Sequence, residues 1–277
     1  MHVIMIAMAA LQLQTDTTVK VPKDTRLEVT VGSGSIAVTG WNRPDVQITS
    51  RTNARTKLVV NLDGGVLRVT STVRTGVDVA DLTLSVPRAM SLKLGTGDVD
   101  VTVRNSEGEL NIMNYRGLID VSGGRGAVSL RSTLGEIKLT GARGNVEAET
   151  SHESVTITDV VGNVEAKSSS KHITLSDVDG EHVSAESVGG VIRFTGPLHE
   201  QGHYSFVTHM GSIFVTSTGA VNATVSVATV SGSFASGLPY KVTNRRRAGI
   251  YTAVFGNGKA QIEMESFAGG MILKTNP

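Results

Sequence analysis

Three histidines, His199, His203 and His209, stand close together in the chain. Three imidazoles are a ligand set that zinc accepts, so they are a candidate metal site. They follow Pro197 in a stretch where the strand pattern loosens, and no carboxylate or fourth histidine stands at a defined spacing from them. We therefore favour solvent-exposed turn histidines and predict no metal, no cofactor and no catalytic residue. The remaining histidines, among them His182, are scattered over turns and strand faces and are interpreted in the same way.

Paired carboxylates are the second candidate for chemistry. Asp98 and Asp100 are two residues apart and therefore point outward on the same side of a predicted strand. Asp159 and Asp177 occupy equivalent turns of neighbouring repeats. Carbohydrate-active enzymes built as β-helices, such as polysaccharide lyases and hydrolases, place carboxylates on one face of a coil for acid and base catalysis. Aspartate between strands is more often a turn residue. An enzyme of that class is therefore the alternative, and a non-enzymatic protein is the preferred interpretation.

Three other motifs have structural interpretations. Nine-residue calcium rolls need Gly-Gly-x-Gly-x-Asp turns, and turns such as residues 149–152 lack that pattern. The Gly32-Ser33-Gly34 motif is not followed by a helix, so it is interpreted as a turn and not as a phosphate loop. At most two of Arg245, Arg246 and Arg247 can share one strand face, which favours a solvated edge strand over a patch for anionic ligands.

The element that must position these residues is a strand that recurs every nine residues between Gly108 and Asp179. Each repeat reads glycine, any residue, aliphatic, any residue, aliphatic and then small or polar residues, as in 126–130, GAVSL. Alternation at period two is typical of a short half-buried strand, and Gly, Ser, Asn and Asp form the turns between strands. Nine residues therefore make one strand and one turn.

Alternate repeats resemble each other more than neighbours do. Residues 144–161, GNVEAETSHESVTITDVV, align with residues 162–179, GNVEAKSSSKHITLSDVD. A coil of two strands and two turns explains this period, and stacked residues would lie about 4.8 Å apart. The small column Ala148 and Ala166 would then face Ile157 across a thin core. We predict an all-β fold: a single-stranded, mostly parallel β-solenoid (β-helix) with about two strands per coil and irregular β caps at both ends.

The outward positions predict a column of alternating charge formed by Arg131, Glu149 and Lys167. Unlike charges on neighbouring strands contribute roughly 0.2–1 kcal/mol per pair. The adjacent column places Glu147 above Glu165, which is mildly unfavourable. Charge is therefore not expected to drive the stacking.

Strand patterns continue from Leu27 to Leu273 without a linker, so we predict one elongated domain. A formal net charge of +1 gives no case for nucleic acid, and the absence of cysteine excludes disulfides and thiolate metal sites. The predicted organisation is a signal peptide at 1–14 and a single β-solenoid domain at 15–277, with an N-terminal cap and irregular coils at 15–102, regular coils at 103–239 and a C-terminal cap at 240–277.

The N-terminal run Met1 to Gln12 is apolar without strand alternation and carries small residues at Ala7, Ala9 and Ala10. This pattern is typical of a secretory signal peptide, although no Lys or Arg precedes it. The run is too short to span a membrane as a helix. We expect export to the periplasm or cell surface and a mature chain that begins near residues 11–15.

Several motifs occur in an order that resembles a known family. They are Val19-Lys-Val-Pro22, the stretch from Leu27 to Val46 with its Gly40-Trp41 turn, Leu82-Thr-Leu-Ser-Val-Pro87 and then the repeated strands. Together they resemble the bacterial putative-adhesin family of β-strand-repeat domains of unknown function, over essentially the whole chain after the leader. The resemblance implies a toastrack-like single-stranded β-helix in the bacterial envelope, where related domains occur beside membrane stress-sensing systems. No catalytic motif belongs to the family.

The chain departs from the family pattern at Glu153 and Lys171, where glycine usually stands. The predicted function is a non-enzymatic, envelope-associated binding or scaffold module, either an adhesin or a stress-sensing ligand domain. Its expected partners are envelope proteins or cell-surface polymers, with no nucleic acid and no membrane-spanning segment. Because irregular sequence at both ends would cover the open strands, we expect a monomer.

Overall fold

The computed structural model describes residues 13–247 and 249–276. Residues 1–12 of the predicted signal peptide lie outside this range, and its last two residues begin the first strand. Within the described residues every element is a strand, so the all-β prediction is confirmed. No helix in this part of the chain is long and apolar enough to cross a membrane.

The strands in chain order are β1 (Leu13–Lys20), β2 (Arg26–Trp41), β3 (Asp45–Thr52), β4 (Thr56–Asp63), β5 (Val66–Val73), β6 (Val79–Pro87), β7 (Leu92–Ser106), β8 (Leu110–Arg116), β9 (Ile119–Gly123), β10 (Arg125–Ser132), β11 (Ile137–Thr140), β12 (Arg143–Thr150), β13 (Val155–Val161), β14 (Val164–Ser168), β15 (Ile173–Asp179), β16 (His182–Ser187), β17 (Ile192–Gly196), β18 (His203–Thr208), β19 (Ile213–Ser217), β20 (Ala223–Thr229), β21 (Ser233–Ser236), β22 (Lys241–Arg247), β23 (Ile250–Val254), β24 (Ala260–Ser266) and β25 (Gly270–Thr275).

These strands form two long ladders, and successive strands in the middle of the chain alternate between them. Ladder A runs β4, β5, β2, β7, β8, β10, β12, β14, β16, β18, β24, β20, β23, β22. Ladder B runs β1, β3, β6, β2, β7, β9, β11, β13, β15, β17, β19, β25, β21. We call the two strands at one level of the stack a rung. Antiparallel pairs occur only toward the two ends.

The register in the middle follows the sequence repeat. Val146 pairs with Val164 and Val155 with Ile173, so residues eighteen apart stack as the alignment predicts. Beyond Gly180 the offset grows: Val164 pairs with Val183. The extra residues are accommodated in the turns, because the buried side chains keep their columns.

The core lies between the two ladders. In ladder A, Ala148 and Ala166 are buried, and in ladder B the buried column includes Ile157. Further along, large residues enter both columns, and the ring centroids of Phe194 and Phe206 lie 5.4 Å apart. Small residues on ladder A therefore accompany large ones on ladder B in the middle of the stack, whereas large residues fill both columns further along.

A buried column of hydroxyl groups links the turns from ladder A to ladder B. In several turns one hydroxyl oxygen accepts the backbone N–H three residues later and donates to a carbonyl of the preceding rung. For example, Ser187 Oγ accepts the N–H of Gly190 at 2.9 Å and donates to the oxygen of Lys171 at 3.0 Å. The buried hydroxyl residues of this column are Ser132, Thr150, Ser168, Ser187, Thr208, Thr229 and Ser266. One side chain thus serves both as turn former and as link between rungs.

The N-terminal end is closed by strands out of chain order. The rung of β5 and β6 lies outside β2, and antiparallel strands β4 and β3 pair with it. Strand β2 joins both ladders, with residues 26–30 paired to β5 and residues 33–41 to β6. Gly32 to Gly34 therefore lie inside a strand, at its bend between ladders. The predicted turn is wrong at this point, because strand pairing continues through the motif, with Ser33 paired to Asp98 and Gly34 to Val99.

The C-terminal end is also built out of chain order. Strands β24 and β25 lie between the rung of β18 and β19 and the rung of β20 and β21. The predicted C-terminal cap, 240–277, therefore divides into two parts. Its first part, β22 and β23, lies at the end of ladder A, while residues 260–275 form an interior rung. An aromatic cluster lies at this end, formed by Phe234, Tyr240, Tyr251 and Phe255.

Candidate functional site

A groove of about 700 Å³ runs along the outer face of ladder A, across strands β10, β12, β14, β16, β18, β24 and β20. Two columns of outward residues line it, one position on each successive strand. The first column is Ala127, Asn145, Asn163, His182, His203 and Gln261, and the second is Ser129, Glu147, Glu165, Ser184, Ser205 and Glu263. We call this surface the ladder A groove.

Two of the three carboxylates of the groove, Glu147 and Glu165, are bound by neighbouring cations, whereas Glu263 accepts a hydrogen bond from Ser205. Arg131 lies 2.5 Å from Glu147, and Lys167 lies 2.5 Å from Glu165. These hydrogen-bonded pairs raise the pKa of Arg131 and of Lys167 above their ordinary values. The predicted contact of Arg131 with Glu149 is longer, 3.7 Å. The cations thus bind the stacked pair Glu147 and Glu165, whose mutual repulsion they offset.

Two histidines form the most distinctive part of the groove. His182 and His203 pair across neighbouring strands, and their exposed rings stack with centroids 5.4 Å apart and an interplanar angle of 7°. Gln261 continues the column on the next strand. The eighteen-residue repeat does not predict this pair, because in this part of the chain the sequence separation between paired residues is larger than eighteen. Aligning the buried positions of β16 and β18 would have found it.

The three histidines of the candidate metal set lie in three different settings. His199 Nε2 lies 2.6 Å from Asp179 Oδ1, and the ring of His209 stacks on Phe267 at 4.9 Å. His203 stacks on His182. Among the described residues no three His, Cys, Asp or Glu side chains are placed to share a metal ion.

The candidate carboxylates are also dispersed. Asp98 forms an ion pair with Arg116 at 3.5 Å, and Asp100 accepts a backbone N–H of the next rung at 2.8 Å. Asp159 and Asp177 have positive φ angles of 52° and 54°, a left-handed conformation that aspartate tolerates in turns. Their roles in this structure are those of ion-pair and turn residues.

The arginine run lies on β22, which among the described residues pairs only with β23. Arg245 and Arg246 are exposed, and the Arg245 guanidinium lies 5.9 Å from the centroid of the Tyr251 ring. A charged edge strand discourages pairing with further strands. The arginine run therefore lies on the last strand of ladder A.

Solved structures with a similar fold include proteins described as adhesins. A putative adhesin from Parabacteroides distasonis ATCC 8503 has a TM-score of 0.50 and 11% identity, covering 95% of this chain and 97% of that chain. A putative adhesin from Bacteroides fragilis NCTC 9343 has a TM-score of 0.39 and 12% identity, covering 97% and 98%. At 11% identity, the similarity to the Parabacteroides distasonis protein concerns the fold alone.

A comparison with curated proteins gave no match. The family model described as Toastrack DUF4097 matches residues 1–171, which is more than half of the 277 residues. The resemblance seen in the sequence is thereby confirmed: this chain belongs to the Toastrack DUF4097 family.

Proposed function

We propose that this protein is a non-enzymatic binding module of the bacterial envelope and that its ligand lies in the ladder A groove. The supporting observation is the groove itself, which presents the exposed imidazole pair His182 and His203 among amide, hydroxyl and carboxylate groups. Hydrogen-bonding groups of several kinds on a rigid sheet suit a polar ligand, because strands hold the side chains in place without further ordering.

The ligand class that fits is an extended polymer. The groove crosses strands, so similar polar groups recur at about 4.8 Å intervals along it. A chain with repeating polar units can contact several rungs at once, and such multiple weak contacts add up. We therefore propose an envelope polysaccharide or a related surface polymer as the ligand.

The alternative, a carbohydrate-active enzyme, has less support. Acid and base catalysis of glycoside hydrolysis needs two carboxyl groups that flank the scissile glycosidic bond. In the groove, Glu147 and Glu165 are each bound to a cation, and Asp98 and Asp100 lie on other rungs with partners of their own. Binding without catalysis is therefore the function that we propose.

Localisation and winding complete the proposal. We propose that the protein is exported and acts in the periplasm or at the cell surface, and that its regular part winds as a solenoid with about two strands per coil. Since β1 begins at Leu13 and pairs with β3, cleavage between Ala10 and Leu11 would leave β1 whole. Intact mass of the secreted protein tests this; a mature chain that begins after Thr15, or one that retains Met1 in the cytoplasm, would contradict it.

Binding is tested with purified polysaccharide and peptidoglycan fragments, followed by NMR shifts or calorimetry. The groove variant is His203→Ala combined with Glu263→Gln, two exposed changes that leave the core intact. The matched control is Lys138→Ala on ladder B. We expect the groove variant to bind about tenfold more weakly, the loss of one or two hydrogen bonds to the ligand. Equal affinity of both variants, or no polymer binding by the wild type, would refute the proposal.

A further inference from the structure

A second cavity lies away from the ladder A groove, at the turns that lead from ladder B back to ladder A. Its volume is about 240 Å³, and its lining includes Arg88, Ser106, Glu107, Arg125 and Arg143. The three arginines come from three separate turns of the stack. We call this cavity the arginine cavity.

The charges of the arginine cavity are unbalanced. Three arginine residues line the cavity together with one acidic residue, Glu107, whose carboxylate lies 3.7 Å from Arg88. Arg143 pairs with Asp159 at 3.1 Å, outside the cavity lining. Arg125 has no ion-pair partner among the described residues and is exposed. The cavity thus holds cationic groups whose charge nearby carboxylates only partly neutralise.

An unsatisfied hydroxyl is the second, independent feature. Ser106 is 5% exposed and lines the cavity, and its Oγ has no hydrogen-bond partner in the described part of the chain. A buried hydroxyl without a partner costs free energy that a ligand oxygen can recover. The hydroxyls of the buried column at the opposite turns, from ladder A to ladder B, each form at least one hydrogen bond within the chain, and the unpartnered Oγ of Ser106 differs from them in this respect.

Three glycines, Gly123, Gly124 and Gly141, form part of the cavity wall. Gly123 has a φ of 100°, and a Cβ built there would lie 2.2 Å from the carbonyl oxygen of Ser106. Gly124 and Gly141 also line the cavity without side chains. No Cβ therefore occupies the cavity wall at these three positions.

We propose that the arginine cavity binds a phosphoryl group. A carboxylate has two oxygens and is satisfied by one bidentate arginine, whereas a tetrahedral phosphate offers oxygens to guanidinium groups from several directions. Arg125 and Arg88 supply charged donors, and Ser106, whose Oγ has no partner in the described part of the chain, lies in the cavity wall. This site is distinct from the ladder A groove and does not depend on the function proposed for it.

The test uses inorganic phosphate, titrated at constant ionic strength and followed by calorimetry and by NMR shifts of the cavity residues. We expect saturable one-to-one binding. Arg125→Gln is expected to weaken it roughly tenfold or more, the loss of a charge-assisted hydrogen bond. The matched control is Arg193→Gln, an exposed arginine on β17 outside the cavity, which should bind phosphate like the wild type.

Ser106→Ala separates binding from structure. Because the Oγ has no partner within the chain, its removal should leave the melting temperature unchanged or raise it, while phosphate affinity falls. A lower melting temperature with unchanged affinity would show that the hydroxyl serves the fold instead, and would count against the proposal. Absence of saturable binding, or equal binding by wild type and Arg125→Gln, would overturn it.

Competition identifies the source of the phosphoryl group. Phosphatidylglycerol vesicles and soluble glycerophosphoglycerol are each added to protein saturated with inorganic phosphate. Displacement by the soluble diester indicates a phosphodiester polymer or free ester, and displacement by vesicles alone indicates a lipid headgroup. Displacement by acetate at equal concentration would contradict the preference for phosphate over carboxylate.

Discussion

The hydroxyl of Thr208 donates a hydrogen bond to the carbonyl oxygen of Gly190 at 3.1 Å and so joins one rung to the rung before it. The Thr208 Oγ1 atom also accepts a hydrogen bond from the backbone N–H of Gly211 at 3.2 Å. Thr208 is buried, so both backbone groups depend on this side chain and not on solvent. The turns of the stack are therefore held by side chains as well as by the ladders.

Thr208→Val should destabilise the protein by about 1–3 kcal/mol, because it leaves a buried N–H and a buried C=O without their partner at nearly constant volume. Thr208→Ser keeps the hydroxyl and should cost less. Urea unfolding of the two variants measures the difference. If Val and Ser variants unfold at the same urea concentration, the hydroxyl does not carry the rung contact.

The sequence predicts the positions of the buried hydroxyl residues but not their hydrogen bonds to the preceding rung. Ser132, Thr150 and Ser168 stand eighteen residues apart and were visible as part of the repeat. Residue type predicts only a role in turns for them, because the residue types that form turns are the same types that link neighbouring rungs. Periodicity predicts which residues stack, but the second hydrogen bond depends on turn geometry that periodicity does not contain.

Ala148→Leu should cost about 1–3 kcal/mol, since it adds volume to a buried column where Ala148 stacks between Leu130 and Ala166. The control is the neighbouring outward change Glu147→Thr, which removes one surface ion pair and one like-charge contact and should be nearly neutral. Thermal melts compare the two. A Leu variant as stable as the wild type would show that this column is not closely packed.

Gly162→Ala should be strongly unfavourable at the first position of the repeat. Gly162 has a φ of 136°, and an added Cβ would lie 2.0 Å from the carbonyl oxygen of Gly144. The cost should exceed about 1 kcal/mol, because the backbone itself must move. Gly219→Ala is the control, since nothing lies within 4 Å of a Cβ there. Equal denaturation midpoints for both variants would mean that the stack yields easily at this turn.

The buried phenol of Tyr204 should make the free energy of unfolding depend on alkaline pH. Burial raises the pKa of its phenol above the ordinary value, so the folded state holds the proton more tightly than the unfolded state. Its contribution to stability is complete below the unfolded pKa of about 10 and is lost as pH rises through the folded pKa. The unfolding free energy of the wild type should therefore fall more steeply above about pH 10 than that of Tyr204→Phe. Parallel profiles for the two proteins would contradict this.

The order of rungs at the C-terminal end could not be predicted from the repeat. Ile262 pairs with Tyr204, a separation far beyond the eighteen to twenty-one residues of the regular rungs. Each strand alone has the same alternating pattern, so β20 and β24 are equally suited to follow β18. The choice depends on the chain path through β22 and β23, which carries no periodic signal. Sequence therefore predicts the strands and their faces better than their order.

Removal of residues 260–277 should be more damaging than the loss of a terminal segment. The deletion takes away β24 and β25, which lie between β18 and β20 in ladder A and between β19 and β21 in ladder B. The core would lose the buried side chains of Met264 and Met271. The strands on either side of the missing rung would be left with unpaired edges. Exposed edges recruit other chains.

We therefore expect the truncated protein to associate in a concentration-dependent manner, whereas the intact chain is predicted to be monomeric. Light scattering over a concentration series measures both. The control removes Asn276 and Pro277 only, which leaves β25 complete and should behave like the intact chain. A truncated protein that stays monomeric and melts at the temperature of the intact chain would show that β20 and β21 close directly onto β18 and β19, so that the inserted rung is dispensable.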